Sequence, residues 1–198
     1  MSHRLLALVL ACSLMASTSF AASELQNIPL KWTPKENIGS MGPLDLSGAM
    51  LSTKIQMDSF TDARSDTTKV AENREKSQPR PVTTSSDVPG FVADNMKGAM
   101  RGLGMGIVDS GGDVMLSAEV RQFFVTETNT YQGNLSLLVH LKNAAGKEIW
   151  SGVILGAAEH FGRSYKADNY YETFSDMVLH ATYNLLANPG FHEALAKR

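Results

Sequence analysis

The stretch YQGNLSLLVHLKNAAGKEIWSGVIL, residues 131–155, sets the fold class. Tyr131, Gly133, Leu135, Leu137, Val139 and Leu141 alternate with Gln132, Asn134, Ser136 and His140. A period of two marks a half-buried strand. Asn143-Ala144-Ala145-Gly146-Lys147 then breaks the pattern, and Gly146 is free to take a positive φ, which predicts a hairpin turn. A second strand follows from Glu148 to His160, with Trp150, Val153, Ile154 and Leu155 as its apolar residues. Upstream, Val114, Leu116, Ala118 and Val120 alternate through a strand from Asp113 to Thr126, where Phe123-Phe124 predicts a bulge or a switch of face. Connections this short imply that the three strands pair antiparallel in sequence order.

Working outward, Leu51, Thr53, Ile55 and Met57 alternate with polar residues and predict an earlier strand running to Phe60. Pro89 suits the first turn of a helix, whose apolar face is Phe91, Val92, Met96, Ala99 and Leu103 and whose stop is Gly104. The run from Gly102 to Gly106 ends that helix, whereas a dinucleotide loop would open one. Asp168 is placed to cap a last long helix with Tyr170, Tyr171, Phe174, Met177, Val178, Ala181 and Leu185 on its buried face. Asn188-Pro189-Gly190 closes it, and a short helical tail runs from Phe191 to Ala196. The expected class is α+β. It is a mainly antiparallel four-stranded sheet, in the order β-α-β-β-β-α, with two helices packed on one face.

The first residues, MSHRLLALVLACSLMASTSFAAS, place Arg4 before an apolar run and small residues at 19 and 21. That order reads as a secretory signal over residues 1–21, cleaved before Ala22. The run is shorter than the ~20 residues that span a bilayer, and no later segment approaches that length. Leu8-Val9-Leu10-Ala11-Cys12 resembles a lipobox, but only eleven residues precede the cysteine, and Leu10 is bulky for its position. The expected location is the periplasm. The alternative is an outer-membrane protein anchored through a lipid on Cys12.

Cys12 is the only cysteine, so a chain starting at Ala22 has no disulfide, thiol nucleophile or thiolate metal site. Removing the leader takes away Arg4 alone and leaves 17 basic against 20 acidic residues. That balance gives no electrostatic reason to bind nucleic acid or an anionic membrane. No HExxH, GxSxG or Walker pattern occurs, and His140, His160, His180 and His192 are not at metal-ligand spacing. Glu159-His160 with Ser164 and Asp168 is the one place where acid, imidazole and hydroxyl cluster in sequence, as the ends of strands commonly do. The reading is a non-enzyme with no cofactor and no metal.

Residues 22–48 read as an extended segment, broken by Pro29, Pro34, Pro43 and several glycines, with Trp32 covering part of the core. Residues 49–198 form the domain, and the polar stretch 64–86 reads as a flexible loop with little apolar surface to bury. Asp62 and Arg64 lie on one side of a still-extended chain at its start. Asp62, Arg64 and Trp32 are the candidate interaction residues.

The strand ending in Asp62-Ala63-Arg64, the helix closing on Gly104, the Asp113-Val114 step, the strand opening at Tyr131, the Gly146-Lys147 hairpin, Trp150 and a terminal helix occur in an order that resembles the YajG family of bacterial envelope lipoproteins. The resemblance spans nearly the whole chain after the leader. It implies a small α+β periplasmic domain without catalytic residues, similar in element order to the amino-terminal domain of TolB and to lipoprotein activators of peptidoglycan synthases. The chain departs from the family at the lipobox. The expected function is a non-catalytic envelope binding or assembly module acting through contacts with an envelope protein. The alternative is a carrier of a small apolar or lipid ligand held between sheet and helices, in a core that methionines make adaptable.

Overall fold

The computed structural model describes residues 25–46 and 48–198; the expected signal peptide, its cleavage site and Cys12 lie outside these residues. The elements are α1 (Ala49–Ser52), β1 (Lys54–Asp62), β2 (Lys69–Asn73), β3 (Arg80–Thr83), α2 (Val88–Gly102), β4 (Gly106–Val108), β5 (Val114–Glu127), β6 (Thr130–Asn143), β7 (Glu148–Phe161), α3 (Ala167–Leu186) and α4 (Pro189–Ala196).

Among the described residues, all seven strands join one mixed sheet. β5, β6 and β7 form the antiparallel meander expected from the alternation, with Leu116 opposite Leu141 and Leu141 opposite Trp150. At the turn, Gly146 takes φ 77°, which a side chain would resist, and its N–H donates to the Asn143 carbonyl at 2.8 Å. The register of β5 on β6 shifts between Val120 and Gln122, so the bulge falls at Arg121, just before the phenylalanine pair.

The other edge of β5 is shared by two strands that both run parallel to it. β1 pairs along Val114–Val120, and β2 pairs along Val125–Glu127. β4 adds to β1, and β3 adds to β2 as an antiparallel partner. The sheet is therefore seven-stranded and mixed, not the mainly antiparallel four-stranded sheet expected. The three extra strands are five, four and three residues long, too short to carry a readable period.

The segment 64–86 differs from the expected flexible loop because β2 and β3 occupy much of it. Val70, Ala71 and Val82 are fully buried. The charges that suggested a solvated loop neutralise one another, with Glu72 paired to both Lys69 and Arg74. The first strand also starts later than expected, because Ala49–Ser52 forms a helical turn and leaves Leu51 exposed. Asp168 lies inside the first turn of α3 rather than capping it; the cap position is Lys166. Helix α2 is capped by Asp87, whose carboxylate accepts from Gly90 N.

Phe123 shows that both long helices cover the same face of the sheet. Its ring stacks on Phe174 of α3 at 4.9 Å and meets Phe91 of α2 edge-on at 6.1 Å. Trp150 meets Phe191 of α4 at 5.5 Å and brings that helix onto the same side. Space between sheet and helices is filled by these rings and by buried Met96, Met100 and Met177. The closest approach is at Gly156, where any Cβ would collide with the Met177 carbonyl oxygen of α3.

Candidate functional site

The break between β1 and β2 is built around Asp62 and Arg64. Asp62 pairs with Val120 of β5, whose carbonyl also accepts from Ala63 N, whereas Ala71 pairs with Val125, so residues 64–68 leave the sheet edge opposite the Arg121 bulge. Arg64 donates from Nε to Asp62 Oδ1 at 2.9 Å and from Nη2 to Asp62 Oδ2 at 2.7 Å. Its Nη2 also donates to the Thr67 carbonyl at 2.7 Å, closing the excursion. Asp66 Oδ1 then accepts from Thr68 N, Thr68 Oγ1 and Lys69 N, a side-chain turn that starts β2.

Only 6 % of the Arg64 side chain is exposed. Burial opposes ionisation of Asp62, but the Arg64 hydrogen bonds and charge outweigh it and hold the carboxyl below its ordinary value. Arg64 also lines an open cleft of about 230 Å3 with Ser65, Asp66, Lys69, Arg121 and Phe124. The Lys69 ammonium stands 5.7 Å over the Phe124 ring, and Arg121 is shared with Glu119 at 3.3 Å.

Trp32 belongs to a different place. It lies on the strap formed by residues 25–41, is 36 % exposed, and meets Phe91 of α2 edge-on at 6.2 Å. With Ile38, Ala99, Leu103 and Leu179 it lines an open, mostly apolar groove of about 360 Å3. Asp62 and Arg64 are brought together; Trp32 does not share their cleft.

The strap is fastened by polar residues of α3 that periodicity did not single out. Asp176 is fully buried, and its Oδ1 accepts from Lys35 N at 3.0 Å and Glu36 N at 3.1 Å. Ser175 Oγ accepts from Thr33 N at 2.9 Å. His160 Nε2 stands 2.8 Å from Asp176 Oδ2, a close approach without directed hydrogen-bond geometry, and His180 meets Glu36 at 2.8 Å. Burial pushes the Asp176 carboxyl above its ordinary value despite these donors and the charge of His160. Its signal was a carboxylate between Phe174 and Met177 on an apolar helix face.

Glu127 is, with Asp176, a carboxylate buried completely. It shares the inward parity of Phe123 and Val125, and that parity was the readable clue. Tyr170 donates to its Oε2 at 2.5 Å, and the backbone N–H groups of Ser164 and Tyr165 donate to its Oε1 at 3.1 and 2.9 Å. Tyr165 is held at φ 43° to make this contact. Burial opposes ionisation of Glu127, but the hydrogen bonds from Tyr170, Asn73, Tyr165 N and Tyr131 outweigh it and hold the carboxyl below its ordinary value. The sequence cluster of His160, Ser164 and Asp168 separates here. His160 turns to Asp176, whereas Ser164 joins Glu127, Tyr131 and Asn169. His140 pairs with Glu148 at 2.7 Å. Among the described residues, no three His, Cys, Asp or Glu side chains are grouped to hold a metal.

The face of the sheet away from the helices carries the most exposed apolar side chains. Val153 is 54 % exposed, Leu155 59 % and Phe161 92 %. Of the apolar residues read in this strand, Ile154 points inward, as does Ala158, whereas Val153 and Leu155 point out. Val153 lies opposite Leu138, and Leu155 opposite Ser136. Val153, Leu155 and Leu138 thus adjoin across two strands, with Phe161 farther along β7.

No family model and no curated protein matches this sequence. Among solved structures, it is similar to protein XCC0632 from Xanthomonas campestris, of the family model DUF330, at 14 % identity and TM-score 0.52, covering 68 % of this chain and 82 % of that one. It is also similar to the PelC dodecamer from Paraburkholderia phytofirmans, at 12 % identity and TM-score 0.41, covering 68 % of this chain and 86 % of that one. A third is lipoprotein GNA1162 from Neisseria meningitidis, at 10 % identity and TM-score 0.37, covering 57 % of this chain and 87 % of that one. At 14 % identity the likeness to XCC0632 is one of fold. Among the described residues, no helix is long and apolar enough to cross a membrane.

Proposed function

We propose that this chain is a non-catalytic cell-envelope module that binds another envelope protein. The observation that carries this reading is the bare sheet face, where Val153 and Leu155 stand exposed beside Leu138. Exposed β-branched and leucine side chains that adjoin across strands mark a contact surface more than isolated ones do. The signal-like leader supports export, and the YajG resemblance supports a role in the envelope. Release into the periplasm after cleavage before Ala22 is the proposed location, with anchoring through Cys12 as the alternative.

Replacing Val153 and Leu155 together by Lys tests the reading. Both side chains face outward, so the melting temperature should change by less than about 4 °C, equivalent to under about 1 kcal/mol. The chain should then lose any larger species seen by native electrophoresis of envelope extracts. Persistence of that species with the double substitution would argue against this face.

A second reading, a carrier of a small apolar ligand, is favoured by the groove at Trp32. The occupied space between sheet and helices moves its proposed seat from there to this groove. Native mass spectrometry of protein purified from the envelope separates the two, since a carrier retains bound mass.

A further inference from the structure

We infer that the free edge of β7 is a self-association surface, where a second copy of this chain pairs its own β7 antiparallel and joins two seven-stranded sheets into one. The inference goes beyond the partner reading and does not depend on it.

The contrast between the sheet's edges carries the argument. A strand edge displays a row of N–H and C=O groups, and folded proteins shield such rows with short strands, charge, proline, bulges or a covering segment. β3 contains Pro81, and the strap covers it: Ile28 N donates to the Thr83 carbonyl at 2.9 Å, and Thr83 N donates to the Leu25 carbonyl at 3.0 Å. β4 is three residues long, and its Ile107 carbonyl accepts from Arg101 Nε at 3.3 Å. Beyond its pairing with β4, β1 carries Asp58, Asp62 and a register shift between Met57 and Phe60. β7 is 14 residues long and pairs with β6 alone among the described residues. From Ser151 to Ala158 it has no charge, no proline and no register shift.

Asn184 of α3 shows which backbone groups face out. This exposed side chain donates from Nδ2 to the Leu155 carbonyl at 2.7 Å, where the N–H of a neighbouring strand would stand. Hydrogen-bonding direction alternates along an antiparallel strand, so Ser151, Val153, Ala157 and Glu159 turn their N–H and C=O groups to the same free edge. Gly152, Ile154, Gly156 and Ala158 turn theirs to β6.

The outward residues make β7 its own complement. A two-fold axis at Leu155 sets Leu155 opposite its copy, Val153 opposite Ala157 and Ser151 opposite Glu159. Apolar side chains meet apolar ones, and the one charge in that span meets a hydroxyl rather than a second carboxylate. Pairing in the plane of the sheet leaves its bare face open. It also lays the two patches of Val153, Leu155 and Leu138 side by side.

Sedimentation velocity of protein purified from the envelope tests this between about 1 and 200 μM, because a single strand pair lies at the small end of specific interfaces. A dimer should form with a Kd of about 10–100 μM. Leu155→Lys and Leu155→Glu should each be monomeric, since like charges then meet at the axis, and an equimolar mixture of the two should dimerise. Both substitutions are on an exposed side chain, so both variants should fold. Ala157→Pro, which removes one edge N–H and no bond to β6, should weaken the dimer about tenfold or more. Leu138→Lys charges the same face one strand inward and should leave the dimer unchanged. A monomer throughout the range, a dimer that survives in both Leu155 variants, or a mixture that stays monomeric would overturn the inference. Loss of the dimer in Leu138→Lys would assign the contact to the faces and overturn the edge. The dimer is recognised by twice the mass of the chain and forms without any partner, so its failure leaves the partner reading standing, and the reverse holds too.

Discussion

Arg64 grips Asp62 through two side-chain hydrogen bonds, at 2.9 and 2.7 Å, at the point where β1 leaves the edge of β5. The pair lets one edge of a long strand be shared by two short parallel strands. Its arginine is nearly out of solvent, so removing the carboxylate strands a buried charge. Asp62→Ala should therefore cost about 3 kcal/mol or more in urea unfolding. A loss under about 0.5 kcal/mol would show the pair to be an ordinary surface contact.

Removing residues 67–76 tests the reassignment of the polar segment. This deletion takes away β2, with buried Val70 and Ala71, and leaves β3 without its only strand partner among the described residues. Cooperative thermal unfolding should be lost or shifted strongly downward. A folded, cooperatively melting product would contradict the pairing of β2 with β5.

Gly156→Ala should be among the most damaging single-atom additions. The new Cβ would meet the backbone of Met177 and Ala181, which cannot rotate away as a side chain can. A loss at or beyond the upper end of the ~1–3 kcal/mol range for overpacked cores is expected in chemical denaturation.

The two fully buried carboxylates, Glu127 and Asp176, give pH dependences of opposite sign. Glu127 has a folded-state pKa below its ordinary 4.5, so the stability it contributes is present above that value and lost as pH falls through the lowered one. Glu127→Gln should destabilise at neutral pH and flatten the acid limb of the stability curve. Asp176 has a folded-state pKa above 3.8, so its contribution is present below that value and lost as pH rises through the raised one. Asp176→Asn keeps an acceptor for the N–H groups of Lys35 and Glu36 and should hold or raise stability at neutral pH. Stability curves from pH 3 to 8 for the two variants check both signs; parallel curves would contradict them.

What the sequence made legible follows from length and period. Leu135, Leu137, Val139 and Leu141 repeat long enough to identify β6, its turn and both neighbours. β2 offers five residues, of which Lys69, Glu72 and Asn73 are polar, and its burial depends on ion pairs that a hydrophobic pattern cannot show. Asp62 and Arg64 were legible as a pair because they are local. Asp176 was not, since its partners Lys35 and Glu36 lie about 140 residues away in the chain. Val153, Ile154 and Leu155 are consecutive apolar residues, so the sequence does not say which of them points inward; burial and the register on β6 show that Val153 and Leu155 face out.

The sheet face is the part of this account most open to contradiction, and photo-crosslinking in the intact envelope tests it directly. A photoreactive residue at position 155 should give one discrete adduct, and the same residue at Ala145, on the exposed hairpin tip, should not. The adduct should vanish when Val153 is replaced by Lys. No adduct from position 155, or equal adducts from positions 145 and 155, would contradict a specific protein contact on this face.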